Sequence, residues 1–429
     1  MQKTPELLLP AGSLEKMRYA FAYGADAVYA GQPRYSLRAR NNEFGLSELE
    51  TGIREAHGSG RKFYVTSNLM AHNSKVKTFE RDIAPVIAMG PDALIMADPG
   101  LIMLVRERWP EMPVHLSVQA NTVNYAAVRF WHSLGLSRII LSRELSLDEI
   151  AEIRQQCPEM ELEVFVHGAL CIAYSGRCLL SGYFNHRDAN QGTCTNSCRW
   201  DYKVHEAQED PAGIPRLAER HPQSEQVFLL EEGKRPGELM PIEEDEHGTY
   251  ILNSKDLRAV EHVAKLVELG VDSLKIEGRT KSVYYVTRTT QAYRLAIDDA
   301  VAGRPFDPAH LAALENLANR GYTGGFFQRH PDADTQNYLT GQSESGVSQY
   351  VGDIVSYDPD AGLAEVVVKN RFAVGDQLEL IQPSGNRVMQ LEQMFDRDGR
   401  LIPEAPGNGW VVRIPLRDVT ERAMLARLL

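Results

Sequence analysis

Apolar runs alternate with longer segments of helical spacing between residues 6 and 300 of the chain. Each run is nearly continuous in hydrophobicity, which is typical of parallel strands buried on both faces. The runs that predict strands are 6–11, 27–30, 62–67, 93–96, 114–118, 138–141, 162–166 and 273–276. The segments that predict helices are 14–23, 47–57, 75–89, 101–108, 124–134, 147–156, 256–269 and 282–300. Ser13 and Ser146 each precede such a segment and are predicted to be helix N-caps.

This alternation predicts an α/β fold, a (β/α)8 TIM-like barrel in which every strand is followed by a helix. A doubly wound open sheet has the same alternation and is the alternative. No glycine-rich dinucleotide-binding fingerprint follows the first strand, which favours the barrel.

The pattern changes after the seventh strand and again after the eighth helix. Residues 200–250 are rich in Glu, Asp and Pro, so an insertion at about residues 169–250 is predicted within a barrel domain of residues 1–300. Residues 301–344 are predicted to be a linker. Short strand candidates separated by turn signals then predict a small C-terminal all-β barrel domain at 345–429. These candidates are 351–357, 364–369, 377–381, 388–394 and 410–414.

Composition and charge restrict the function classes. Apolar residues make up 43% of the chain and charged residues 24%, which is ordinary for a protein with a full core. No secretory signal and no membrane-spanning apolar run is recognisable, so a cytoplasmic protein is predicted. The net charge of −12 argues against a generally basic nucleic-acid binder. Local basic clusters are still candidate nucleic-acid contacts, although a solvated surface explains them equally well: Arg34, Arg38, Arg40 and, in a cluster between residues 275 and 294, Lys281.

Four of the five cysteines lie close together, with the spacing C-x6-C-x15-C-x3-C. Clustered cysteines in a reducing compartment more often bind metal or take part in redox chemistry than form disulfides. Zinc fingers usually begin with a shorter C-x2–4-C pair, whereas iron–sulfur clusters accept wider spacings. The spacing therefore favours a [4Fe–4S] cluster over zinc by a small margin, with reduced structural thiols as a further alternative. The candidate ligands are Cys171, Cys178, Cys194 and Cys198.

Polar residues follow most of the predicted strands. In a (β/α)8 barrel the active site is built at the carboxyl ends of the strands, so these residues are the site candidates. His167 and Glu277 are predicted acid–base groups, and Arg143 and Arg279 are predicted to bind a carboxylate or phosphate. Further candidates are Asn68, Asp98, Gln119 and Asn121, of which the last two are predicted substrate contacts. The alternative is structural: ion pairs for the charged residues and a satisfied buried histidine.

One stretch resembles the signature of a known family. It is Glu163-x-Phe165-x-x-Gly168-Ala169-Leu170-Cys171-x4-Gly176-x-Cys178-x-x-Ser181, and it matches the signature of the collagenase-like peptidases, family U-32, along its whole length. Residues 8–12, 29–31, 115–119 and 275–279 are similar to other stretches of that family. The resemblance extends along nearly the whole chain.

The resemblance implies an activity that the family name does not suggest. Several members are O2-independent RNA or quinone hydroxylation factors. Members that are most like this chain take part in the prephenate-dependent formation of 5-hydroxyuridine at the wobble position of tRNA, so tRNA, through its anticodon loop, and prephenate are the implied partners. Related members carry a [4Fe–4S] cluster on four cysteines. Cys171, Cys178 and Cys194 fall in the shared region, with Cys198 as the fourth ligand, and the dicarboxylate prephenate gives Arg143 and Arg279 a possible clamping role.

Two other functions compete with hydroxylation. The first is the peptidase activity of the family name, but the chain has neither an H-E-x-x-H zinc motif nor a G-x-S-x-G nucleophile elbow. A cysteine peptidase would also leave three of the clustered cysteines without a role. The second is a non-catalytic tRNA-binding or maturation factor that docks through its C-terminal domain.

Overall fold

The computed structural model describes residues 3–37, 43–171, 173–181, 186–195, 255–315, 317, 319, 321–328 and 348–429. It also describes the backbone of short strands in the predicted insertion. They form three antiparallel pairs: Ala207–Glu209 with Pro215–Leu217, Phe228–Glu231 with Leu239–Ile242, and Glu244–Asp245 with Gly248–Thr249. No helix within these described residues is long and apolar enough to cross a bilayer.

Eight parallel strands close into a barrel. They are β1 (Glu6–Pro10), β2 (Ala27–Gly31), β3 (Lys62–Ser67), β4 (Ala93–Met96), β5 (Val114–Leu116), β6 (Arg138–Ile140), β7 (Glu161–Ala169) and β8 (Ser273–Ile276). Consecutive strands from β1 to β7 lie side by side, and β8 pairs in parallel with both β1 and β7. Because the sheet closes through β8, the predicted barrel is confirmed and the open sheet is excluded.

Eight helices, one after each strand, cover the outside of the barrel. They are α1 (Leu14–Ala22), α2 (Leu46–Gly58), α3 (Asn73–Ala88), α4 (Pro99–Arg108), α5 (Tyr125–Ser133), α6 (Leu147–Gln156), α7 (Val263–Glu268) and α8 (Val283–Val301). The Oγ of Ser13 accepts a hydrogen bond from the N–H of Lys16, and Ser146 forms a capping box with Glu149. Both predicted N-caps are therefore confirmed, and each satisfies a backbone N–H that the first helical turn leaves unpaired.

The chain departs from the predicted pattern between β7 and α7. The sequence predicts one helix over residues 256–269, but Asp256–Arg258 is a strand that pairs antiparallel with the end of β7. The N–H of Ala259 donates to the carbonyl oxygen of Val166, so pairing with β7 satisfies backbone groups that a helix would have satisfied internally. This strand also pairs with Tyr322–Thr323, which lies with a ninth helix, α9 (Ala309–Glu315), in the segment assigned to the linker.

The C-terminal residues form an antiparallel β domain with its own core. In chain order its strands are Ser348–Asp358, Leu363–Val368, Phe372–Ala373, Gln377–Ile381, Arg387–Gln390, Glu404–Ala405, Val411–Pro415 and Met424–Leu428. Six of them form one sheet, and Phe372–Ala373 pairs separately with Glu404–Ala405. The sequence predicted five of the six sheet strands. It did not predict Met424–Leu428, which lies between Ser348–Asp358 and Gln377–Ile381 in the sheet.

The C-terminal domain is fixed against α1 and α8 of the barrel. The hydroxyl of Tyr23, at the end of α1, donates to the carbonyl oxygens of Ile381 and Arg422, both at 3.0 Å. Arg288 on α8 forms a buried ion pair with Glu379 at 2.9 Å. Because buried polar groups are costly when unpaired, these contacts tie the domain to both α1 and α8.

Candidate functional site

A cavity of about 130 Å³ lies at the carboxyl ends of the barrel strands. This is the position at which (β/α)8 barrels place their active sites. Eight of the predicted site residues line it: Asn68, Gln119, Arg143, Cys171, Cys178, Cys194, Glu277 and Arg279. Other lining residues that matter below are Tyr29, Phe165 and Lys275.

The cysteine segment that follows β7 lies against the loops after β3 and β5. The side-chain amide of Gln191 donates to the carbonyl oxygen of Met70, in the loop after β3. Gly176 has a φ of +76°, and a Cβ added there would lie 2.4 Å from the carbonyl oxygen of Gln119, after β5. Only glycine allows the two backbones to approach so closely. The segment is thereby held beside the cavity.

Three of the four predicted metal ligands line this one cavity. Cys171 is exposed, and Cys178 and Cys194 are half-buried, so the thiols are accessible from the cavity. The fourth, Cys198, lies outside the described residues. Within the described part of the chain, no three His, Cys, Asp or Glu side chains converge as a metal site. Thiolates are the ligands that iron–sulfur clusters take, so the donor chemistry fits such a cluster, but the described residues alone do not complete it.

Arg143 presents its guanidinium to the cavity. The group lies 4.0 Å from the centre of the Phe165 ring, a favourable position for a cation over an aromatic face. Its Nη2 is 3.5 Å from Oε2 of Glu277, which is the outer limit of a hydrogen bond. An anion entering the cavity can therefore compete with Glu277 for Arg143.

Arg279 is held by the loop that follows β2 and by Thr66 of β3. Its Nη1 donates to the hydroxyls of Ser36, at 3.4 Å, and Thr66, at 3.2 Å, and its Nη2 donates to the carbonyl oxygen of Leu37. A Cβ added at Gly31 would lie 2.7 Å from Nη1, so the glycine leaves room for the guanidinium. Arg279 thus lines the cavity and is also hydrogen-bonded to Ser36 and Leu37, which follow β2.

A chain of buried charged groups extends from the cavity into the barrel. The Nζ of Lys275 donates to Glu163 at 2.7 Å, and Glu163 also accepts from Arg138 at 3.1 Å. Arg138 in turn donates to Glu6, in β1, at 2.6 Å. Burial lowers the pKa of Lys275, while the carboxylate of Glu163 acts against that shift. Charges this deeply buried are stable only as a connected network.

His167 is enclosed at the end of β7 and is not among the residues that line the cavity. The rings of Tyr285, Tyr293 and Tyr322 have their centres 5.5–5.7 Å from that of the imidazole. Its Nδ1 lies 3.3 Å from the hydroxyl of Tyr293, and its Nε2 has no partner among the described residues. The predicted catalytic role requires contact with the cavity, and this placement does not provide it.

The enclosure of His167 should make stability depend on pH. Burial, aided by the positive charges of Lys281 and Arg258, lowers the pKa of His167 to about 3 from an ordinary value of 6.5. Below pH 6.5 the unfolded chain therefore binds a proton that the folded protein does not, so stability falls as the pH falls toward 3. His167 is expected to account for a loss of about 2 kcal/mol in the free energy of unfolding between pH 7 and pH 5.

The variant His167→Gln is expected to flatten this dependence. The measurement is the free energy of unfolding of parent and variant at several pH values from 5 to 8. Part of the slope should remain, because burial also lowers the pKa of His115 and of His262. Parallel curves for parent and variant would show that His167 is not the group responsible.

The other predicted contacts lie away from the cavity lining or outside the described residues. Asn121 accepts a hydrogen bond from the hydroxyl of Ser142 at 3.0 Å, and Lys281 lies over the ring of Tyr285. Neither lines the cavity, so the direct substrate contact predicted for Asn121 is not supported. The side chain of Arg34 is 56% exposed and pairs with Asp82 at 2.7 Å. Arg38 and Arg40 lie outside the described residues.

Sequence reasoning missed Lys275 as a site residue. It lies inside a strand, whereas the sequence prediction considered only polar residues at the carboxyl ends of the strands. The available signal was a lysine within the otherwise apolar run Ser273–Ile276, because a strand buried on both faces tolerates a charge only where a partner or a ligand receives it.

Comparison with known proteins gives matches along both domains. The sequence model of peptidase family U32 matches residues 12–337, and that of the peptidase family U32 C-terminal domain matches residues 347–427. The chain is 61% identical over 426 residues to tRNA hydroxylation protein P of Escherichia coli K12, which covers 96% of this chain and 94% of that protein. It is 58% identical over 428 residues to the protein of the same name in Haemophilus influenzae, and the match covers 96% of this chain and 93% of that protein.

A more distant similarity is to a protein named for ribosomal RNA. The chain is 31% identical over 353 residues to the 23S rRNA 5-hydroxycytidine synthase of Escherichia coli K12. The match covers 82% of this chain and 47% of that protein.

Proposed function

We propose, from the finding that the chain belongs to peptidase family U32, that the protein is a tRNA-modifying enzyme that hydroxylates wobble uridine to 5-hydroxyuridine. The observation that carries this proposal is the 61% identity to tRNA hydroxylation protein P along 96% of the chain. A wobble base belongs to a single-stranded loop, so it can be unstacked and presented to a pocket at modest cost.

The proposed co-substrate is prephenate, and the proposed reaction is independent of O2. Prephenate is a dicarboxylate, and Arg143 and Arg279 are the predicted carboxylate clamps. Arg143 is the better placed of the two, because its long contact with Glu277 leaves it able to bind an anion. Glu277 is partly exposed in the same cavity and is the proposed acid–base group.

The proposed cofactor is a [4Fe–4S] cluster. Cys171, Cys178 and Cys194 would hold it from the segment beside the cavity, with Cys198 as the fourth ligand. When bound, the cluster would supply electron transfer, which suits a reaction at the C5 carbon of uracil that is difficult without a redox cofactor. The segment's contacts with the loops after β3 and β5 would fix these thiols relative to Arg143.

The proposed RNA contacts are Arg34, Arg38 and Arg40, together with Lys281, which follows β8. Arg34 is more than half exposed, so a phosphate can approach it beside Asp82. Arg38 and Arg40 follow Arg34 in the sequence and lie outside the described residues. Phosphate contacts of this kind position an RNA without selecting its sequence.

The activity is tested in a bacterial strain that lacks every tRNA 5-hydroxyuridine pathway. Expression of the parent chain is expected to restore 5-hydroxyuridine and its derivatives in tRNA, measured by mass spectrometry of digested nucleosides. Nucleosides from 23S rRNA of the same cells provide the comparison for an rRNA substrate. If tRNA remains unmodified while the chain is expressed and folded, the proposal fails; cleavage of a collagen peptide by the purified protein would favour the peptidase.

Cysteine variants test the cofactor in the same strain and in the test tube. Cys171→Ser and Cys178→Ser are each expected to reduce tRNA hydroxylation to the background of the strain and to lower the iron and sulfide content of protein purified without oxygen. Cys157→Ser is the matched control, because this cysteine is buried at the end of α6 and does not line the cavity. A colourless parent protein with stoichiometric zinc would overturn the cluster.

A further inference from the structure

The ammonium group of Lys275 has one hydrogen-bond acceptor for its three N–H donors among the residues that the structure describes. The side chain is 3% exposed and lines the cavity, and its one hydrogen-bond acceptor among the described residues is Glu163, at 2.7 Å. An ammonium carries three N–H donors. Burial of a charged group is costly when its hydrogen-bond donors lack acceptors. A ligand in the cavity that accepts hydrogen bonds from the remaining N–H donors of Lys275 would therefore bind more tightly.

Lys275 is also held rigidly. Glu163 is fully buried and shared with Arg138, so the carboxylate cannot turn away from the lysine without breaking a second ion pair. The rings of Tyr29 and Phe165 lie beside the ammonium, at 4.4 Å and 5.5 Å from their centres. A cation fixed in this way offers its remaining donors in a defined direction, which is what selective binding requires.

Arg143 and Lys275 are arranged around one aromatic ring. The guanidinium lies 4.0 Å and the ammonium 5.5 Å from the centre of the Phe165 ring. A small molecule packed beside Phe165 is within reach of both cations. Arg279, by contrast, directs donors to Ser36, Thr66 and Leu37, so its observed contacts serve the protein.

We infer that Lys275 is the second anionic anchor of the cavity, so that Arg143 and Lys275 each receive one carboxylate of a small dicarboxylate ligand. Lys275 thereby determines specificity for two carboxylates over one. This inference rests on the proposed function, because the ligand is its co-substrate. It assigns to Lys275 the role that the sequence suggested for Arg279.

The test is binding of a dicarboxylate and a monocarboxylate to the whole protein, purified without oxygen, by isothermal titration calorimetry. Prephenate is the dicarboxylate probe and phenylpyruvate the monocarboxylate probe. The parent is expected to prefer prephenate by about tenfold or more, the value of one charge-assisted hydrogen bond. Lys275→Met should lose most of this preference, whereas a purely structural lysine would weaken both ligands equally and leave the ratio unchanged.

Two further variants complete the test. Lys275→Gln keeps a hydrogen-bond donor for Glu163 but has no charge, so it should also lose the preference for prephenate. This variant provides the test if Lys275→Met does not fold. Lys62→Met is the matched control, because Lys62 pairs with Glu6 at the far end of the same network and is 54% exposed; its preference should equal that of the parent. Equal affinity of the parent for both probes, or an unchanged ratio in the Lys275 variants, overturns the inference even where tRNA hydroxylation is observed.

Discussion

Replacement of Glu163 by alanine is expected to lower the free energy of unfolding by about 3–5 kcal/mol, the usual cost of removing one partner from a buried ion pair. Glu163 is fully buried and is the acceptor for both Lys275 and Arg138. Without it, Arg138 keeps Glu6, but Lys275 loses its only acceptor among the described residues. The measurement is chemical denaturation of parent and variant followed by circular dichroism.

An exposed ion pair of the same length provides the control for this prediction. Arg18 and Glu55 are also 2.7 Å apart, but their side chains are 42% and 35% exposed. Glu55→Ala is therefore expected to cost less than about 1 kcal/mol, because water and counterions screen the pair. If both variants were destabilised by the same small amount, the barrel network would not contribute as its burial indicates.

The sequence predicts the barrel because the physical causes of its strands and helices are local. Each apolar run is long enough for one strand, and caps such as Ser13 and Ser146 begin the helices at the expected places. The prediction is wrong at residues 256–258, where pairing with β7 replaces a helical turn. Met424–Leu428 is missed for a similar reason, since it becomes a strand between two partners that are distant in the sequence. Tertiary pairing decides both segments, and periodicity does not contain that information.

The site is predictable where chemistry lies at strand ends and less so elsewhere. Arg143, Glu277 and three of the cysteines line the cavity because parallel strands deliver their carboxyl ends to one face. His167 obeys the same rule by position, but three tyrosines from later segments enclose it. Lys275, by contrast, lines the cavity but was not predicted as a site residue. Whether a side chain inside a closed barrel reaches the cavity depends on depth and packing, which one sequence does not specify.

The junction between β7 and β8 leaves no room for a side chain at Gly168. The residue has a φ of +110°, and a Cβ added there would lie 2.7 Å from the carbonyl oxygen of Glu277. The N–H of Glu277 donates to the carbonyl oxygen of His167 at 2.9 Å, so the two backbones are tied together at this point. An added methyl group must therefore either break that hydrogen bond or displace Glu277 from Arg143.

Gly168→Ala is accordingly expected to cost about 3 kcal/mol or more, from backbone strain together with the steric clash. The substitution should displace His167 and the cavity residue Glu277. The amount of 5-hydroxyuridine in tRNA should therefore decrease even at temperatures at which the variant is folded. Gly385→Ala is the matched control: its φ of +122° is similar, but no atom of the described residues other than its chain neighbours lies within 4 Å of the added Cβ. That variant should cost roughly 1 kcal/mol, from strain alone, and leave hydroxylation unchanged. Equal destabilisation of the two variants, measured by thermal unfolding, would mean that the contact between Gly168 and Glu277 relaxes without cost and that only the backbone conformation requires glycine.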